Sequence, residues 1–123
     1  MRQLFKTLVR CAGVAALVTG VSVVAASPAS ATTTTCAVSY YSCSTAILNA
    51  VSGKNFIKWE VDSGASGSGC SWQVIDVGNL HVVGSGRLGA FRHNNGQING
   101  LYGNYRLDLW NCGLSAFGWI NNQ

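Results

Sequence analysis

The groups able to exchange a proton in ordinary acid–base catalysis are few. There are two histidines, His81 and His93, and four carboxylates, Glu60, Asp62, Asp76 and Asp108. Hydrolysis by an activated nucleophile needs a base within hydrogen-bond reach and a third group to orient that base. His81 stands in "LHVV", which reads as a strand, and His93 in "FRHNNGQ", which reads as a turn. Both therefore read as surface histidines, and no Gly-x-Ser-x-Gly elbow accompanies them. Glycoside cleavage would need two carboxylates brought to a working separation. Glu60 and Asp62 instead share the outward side of one expected strand, Asp76 closes another, and Asp108 sits beside Arg106 as a surface ion pair. Neither a calcium loop nor a phosphate cradle is present in the sequence. The expectation is a non-enzyme with no metal and no cofactor.

Stacking chemistry is better supplied. Alternation sends Trp59, Trp72 and Tyr105 inward, turns Trp110 away from Leu107 and Leu109, and turns Phe117 and Trp119 away from Ala116 and Ile120. Tyr102 falls in the loop before the Tyr105 strand. Tyr102, Trp110, Phe117 and Trp119 are thus candidates for one exposed aromatic surface, of the kind that anchors a protein interface or stacks on sugar rings. The competing reading is that some of them fill the packed side of a second sheet.

These residues are positioned by elements with strand periodicity. "NFIKWEVD" alternates Ile57, Trp59 and Val61 against Phe56, Lys58 and Glu60, and "CSWQVIDV" repeats the pattern through Cys70, Trp72 and Val74. "VGNL" reads as the turn into "LHVVGSG". The Asn95-Gly96 pair after "RLGAFRH" reads as a tight hairpin turn. "NYRLDLWN" and "LSAFGWIN" supply two more strands, "STAILNAVS" is open between strand and short helix, and "TTTT" before Cys36 reads as loose. The spacing of strands and turns predicts an all-β fold, a small antiparallel immunoglobulin-like sandwich or small barrel.

The amino terminus carries Arg2, Lys6 and Arg10, then an apolar run over 12–26 that ends in "SPASA". That is the layout of a secretory signal peptide over 1–31, followed by a single domain over 32–123. The run is too short to span a bilayer. Residues 32–123 hold five basic and four acidic side chains, a net charge of +1. Such a balance argues against nucleic-acid binding and against a cationic membrane surface. Cys36, Cys43, Cys70 and Cys112 remain in an exported chain of this size, where two disulfides are expected rather than a zinc site. Of the three possible pairings, Cys36 with Cys43 and Cys70 with Cys112 is the expected one.

"GLYGNYRLDL" resembles the start of the penultimate strand of immunoglobulin-like sandwiches, where a corner tyrosine, here Tyr105, bonds back to the preceding loop. "WQVIDVGNLHVVGSG" resembles the central hairpin of such domains, with Trp72 in the core. Cys112 lies seven residues after Tyr105 rather than two, so the usual disulfide of that family does not carry over. In layout, including "TTTTC" and "GLYGNYRLDLWNC", the chain resembles the small two-disulfide adaptor of umbrella toxin particles secreted by actinobacteria. That resemblance implies a secreted, non-catalytic adaptor that joins other secreted proteins in competition between bacteria, and "TTTTCAVSYY" is long enough to add as a strand to a partner. Two alternatives stand beside it. One is a disulfide-stabilised inhibitor of a protease or glycosidase presenting "GASGSG" or "FRHNNGQ". The other is a polysaccharide-binding module stacking sugars on its aromatic residues.

Overall fold

The computed structural model describes residues 32–65 and 67–123; the expected signal peptide lies outside them. Nine strands run through these residues: β1 (Thr33–Ala37), β2 (Cys43–Ser44), β3 (Leu48–Asn49), β4 (Phe56–Asp62), β5 (Cys70–Asp76), β6 (His81–Leu88), β7 (His93–Asn99), β8 (Asn104–Trp110) and β9 (Phe117–Asn121). No helix occurs among the described residues. Two antiparallel sheets form, one in the order β1-β9-β4-β7 and one in the order β2-β8-β5-β6, with β3 continuing the β2 row along β8.

If β2 and β3 are taken as one interrupted strand, this is the strand order of a jelly roll. Few neighbours in either sheet are neighbours in sequence, so nearly every pairing is long-range. The stretch "STAILNAVS" resolves into those two short bridges, between which Thr45 N–H donates to the Leu107 carbonyl.

Alternation places the core as the sequence predicts. Ile57, Trp59 and Val61 of β4 face Cys70, Trp72 and Val74 of β5 and Tyr105, Leu107 and Leu109 of β8, all buried. Trp59 and Trp72 meet across the interior with ring centroids 4.0 Å apart and planes tilted by 31°. The corner tyrosine is present: Tyr105 Oη accepts hydrogen bonds from the backbone N–H groups of Tyr102 (3.0 Å) and Gly103 (2.9 Å).

Both disulfides pair as expected. Cys36–Cys43 joins β1 of one sheet to β2 of the other, and Cys70–Cys112 joins the start of β5 to the segment after β8.

Two local readings are corrected. The Asn95-Gly96 pair is not a turn. It lies inside β7, Gly96 directly opposite Trp59, and a Cβ built there would stand 3.0 Å from the indole. The glycine is needed to let the ring lie over the neighbouring strand. The true reversal is at 89–92, with Phe91 at positive φ, organised by the buried Ser63 hydroxyl, which donates to the Gly89 carbonyl and accepts from Arg92 N–H. His93 accordingly begins a strand. The threonine run is also not loose: residues 33–37 pair with β9 over their whole length, Thr35 opposite Trp119. The β-branched side chains of Thr33, Thr34 and Thr35 suit that pleated surface.

Candidate ligand-binding face

The side-chain pattern of each strand leaves alternate residues on the outside of the sandwich, and the cross-strand register says which of them adjoin. On the β1-β9-β4-β7 sheet, one outer row runs Thr35, Trp119, Glu60, Asn95. The next, toward the 111–116 loop, runs Ala37, Phe117, Asp62, His93. On the other side, Thr33, Asn121, Lys58 and Gln97 form a third row, and Phe56 pairs with Asn99 beyond it. The centre of this face is therefore an indole and a phenyl ring two residues apart on β9, ringed by carboxylates, amides and hydroxyls.

The polar groups around these rings are largely unspent. Glu60 is half-buried and its carboxylate has no hydrogen bond or ion pair among the described residues. The Asn95 side chain has no partner among them, whereas its N–H is capped by Asn94 Oδ1. Asp62 commits one oxygen, Oδ1, to Gly64 N–H at 2.7 Å. Lys58 forms no ion pair among the described residues and holds its Nζ 5.7 Å from the centre of the Phe56 ring. Only Gln97 and Asn99 satisfy each other, Nε2 donating to Oδ1 at 2.7 Å.

The outer face of the other sheet is built oppositely. Asp108 accepts hydrogen bonds from Ser44 Oγ, Gln73 Nε2 and Arg106 Nε, the last as the 2.8 Å ion pair that the sequence predicts. Burial alone would raise its pKa; the hydrogen bonds from Arg106, Ser44 and Gln73, helped by the Arg106 charge, outweigh that and hold it below the usual 3.8. Arg87 is spent on Ser71 Oγ and the Ser68 carbonyl. These side chains spend much of their hydrogen-bonding capacity on one another.

The four candidate aromatic residues do not form one surface. Phe117, 39% exposed, and Trp119, half-buried, share the first face. Trp110, 38% exposed, lies on the outer face of the opposite sheet, in the row with Ser71 and Arg87. Tyr102 is 78% exposed in the loop between β7 and β8, on neither face. The reason is topological: alternation fixes a side relative to a strand's own neighbours, and β8 and β9 belong to different sheets. The sequence pattern sets Glu60 outward but carries no sign that β4 lies beside β9, and so none that Glu60, Asn95 and Thr35 line up with Trp119.

The remaining titratable groups are scattered. His81 is exposed at the start of β6, and Asp76 caps the β5–β6 turn by accepting from Gly78 N–H. Among the described residues no three His, Cys, Asp or Glu side chains converge on a metal-sized site.

No protein family and no curated protein matches the chain in sequence. Among solved structures the chain is similar to the carbohydrate binding module of Cellvibrio mixtus lichenase 5A in complex with cellotriose, at 18% identity and a TM-score of 0.36. The similarity covers 72% of this chain and 64% of that one, less than two thirds of its length.

Proposed function

We propose that the protein is a non-catalytic polysaccharide-binding module whose platform is the outer face of the β1-β9-β4-β7 sheet, with Phe117 and Trp119 stacking on sugar rings. The observation that carries this reading is the row Trp119–Glu60–Asn95, an accessible aromatic ring set beside polar side chains with unused hydrogen-bonding capacity. A sugar presents an apolar C–H face and a rim of hydroxyls, and this row offers a complement to both. The jelly-roll fold adds nothing to the choice, because one fold serves many functions.

Retention of the oxidised protein on insoluble polysaccharides tests the reading. Trp119→Ala is expected to cut retention by roughly tenfold or more, about 1.4 kcal/mol, with the urea midpoint close to that of the parent. Unchanged retention would remove this face from consideration. Recovery of the protein from culture fluid in stoichiometric complex with a larger protein, insensitive to Trp119→Ala, would support the adaptor reading instead.

A further inference from the structure

The unneutralised carboxylate beside Trp119 bears on which polysaccharides the platform accepts. Glu60 stands between Trp119 on β9 and Asn95 on β7, directly in register with both. Asp62 lies two residues along the same side of β4, next to Phe117. Lys58, two residues the other way, neutralises neither: no ion pair joins it to any described residue, and its Nζ lies over the Phe56 ring. An ionised carboxylate is an acceptor only, so Glu60 needs donors from the ligand.

We propose, resting on the polysaccharide-binding reading above, that Glu60 determines specificity by accepting hydrogen bonds from the hydroxyls of a sugar stacked on Trp119, and that the ligand is an uncharged, hydroxyl-presenting polysaccharide. Hydroxyl donors to an ionised acceptor form the stronger class of hydrogen bond. A uronate, sulfate or phosphate group on the same sugar would instead place like charge beside both Glu60 and Asp62, whereas the cation of this face, Lys58, lies one row away over the Phe56 ring. A polycationic chain would gain from Glu60 but bring its ammonium groups up against Lys58 on the same face, so the exclusion supplied by the row itself is of anions. The face thus discriminates by charge as well as by shape, because the wrong partner meets repulsion as well as lacking contacts.

The test is affinity electrophoresis of the oxidised protein in gels containing hydroxyethylcellulose, laminarin or xylan as uncharged polymers, polygalacturonate as a polyanion, and chitosan as a polycation, at low and moderate salt. Retardation by at least one uncharged polymer and none by polygalacturonate is expected. Glu60→Ala should weaken the uncharged interaction by roughly tenfold or more, and Glu60→Lys should create measurable retardation by polygalacturonate. Stronger retardation of the parent by either charged polymer than by every uncharged one overturns the proposal. Loss of binding in Trp119→Ala together with unchanged binding in Glu60→Ala overturns the role of Glu60 and leaves the platform standing. Absence of retardation by every polymer, or full binding in Trp119→Ala, overturns the platform itself and this proposal with it. Each variant's urea midpoint, compared with the parent, separates lost binding from lost fold.

Discussion

Trp59 and Trp72 stack across the interior, and each indole rests on a glycine of the strand beside it, Trp59 on Gly96 and Trp72 on Gly86. A methyl group at Gly96 would meet the Trp59 ring at 3.0 Å, and the Trp72 ring behind it leaves no direction of easy retreat. Gly96→Ala is therefore expected to lower stability by about 1–3 kcal/mol, read as a fall in the urea midpoint. An unchanged midpoint would mean that the indole pair repacks freely.

The two disulfides close loops of very different length, with sequence separations of 7 and 42. On the chain-entropy estimate, replacing the Cys70–Cys112 pair by alanines costs about 4 kcal/mol and replacing Cys36–Cys43 about 2.5 kcal/mol. Denaturant unfolding of the two double variants should reproduce that order. The reverse order would show that the longer loop stays constrained in the unfolded chain by other means.

Tyr105 holds its corner through one hydroxyl that accepts two backbone N–H groups. Tyr105→Phe keeps the buried ring and strands both donors, for an expected loss of about 1–3 kcal/mol. Amide exchange at Tyr102 and Gly103 should accelerate more than at Leu107 or Leu109. Uniform acceleration would place the loss in the core rather than at the corner.

Asp108 ionises more readily in the folded protein than in the unfolded chain. Its contribution to stability is therefore present above its unfolded value and is lost as pH falls through the lower folded one. The urea midpoint should drop below about pH 4, and Asp108→Asn should flatten that part of the profile while lowering stability at neutral pH. A parent profile matched by Asp108→Asn at every pH would refute the assignment.

Trp110 offers a control for the proposed binding face. It is as exposed as Phe117, yet it lies on the sheet whose polar side chains bond one another. Trp110→Ala is expected to leave polysaccharide retention at the parent level. A loss equal to that of Trp119→Ala would relocate the platform.

How much of this was legible in the sequence follows from the range over which each feature is determined. The inward sets Ile57/Trp59/Val61 and Tyr105/Leu107/Leu109 are written in local alternation, and the corner role of Tyr105 in one short stretch, whereas the cysteine pairing is one of three that the sequence allows. Asn95-Gly96 misled because its local preference for a turn is overridden by Trp59, a residue 37 positions away that requires a glycine opposite it. Thr33–Ala37 misled because the strand that orders it comes at the other end of the domain. The aromatic surface was half legible: the side each ring takes is local, but the sheet to which β8 or β9 belongs depends on long-range pairing.

The Cys36–Cys43 link fastens the two sheets to each other along one long side, where β1 and β2 run. Along the opposite side, the edge strands β6 and β7 are joined by the backbone itself through the reversal at 89–92, with Ile98 filling the space over Gly84. One margin is thus closed by a bond that a reductant breaks and the other by the chain itself. In the row Thr35–Trp119–Glu60–Asn95, Thr35 and the indole sit toward the disulfide-closed margin and Asn95 on the backbone-closed one. Reducing conditions are therefore expected to loosen the Thr35 end of the proposed platform before the Asn95 end.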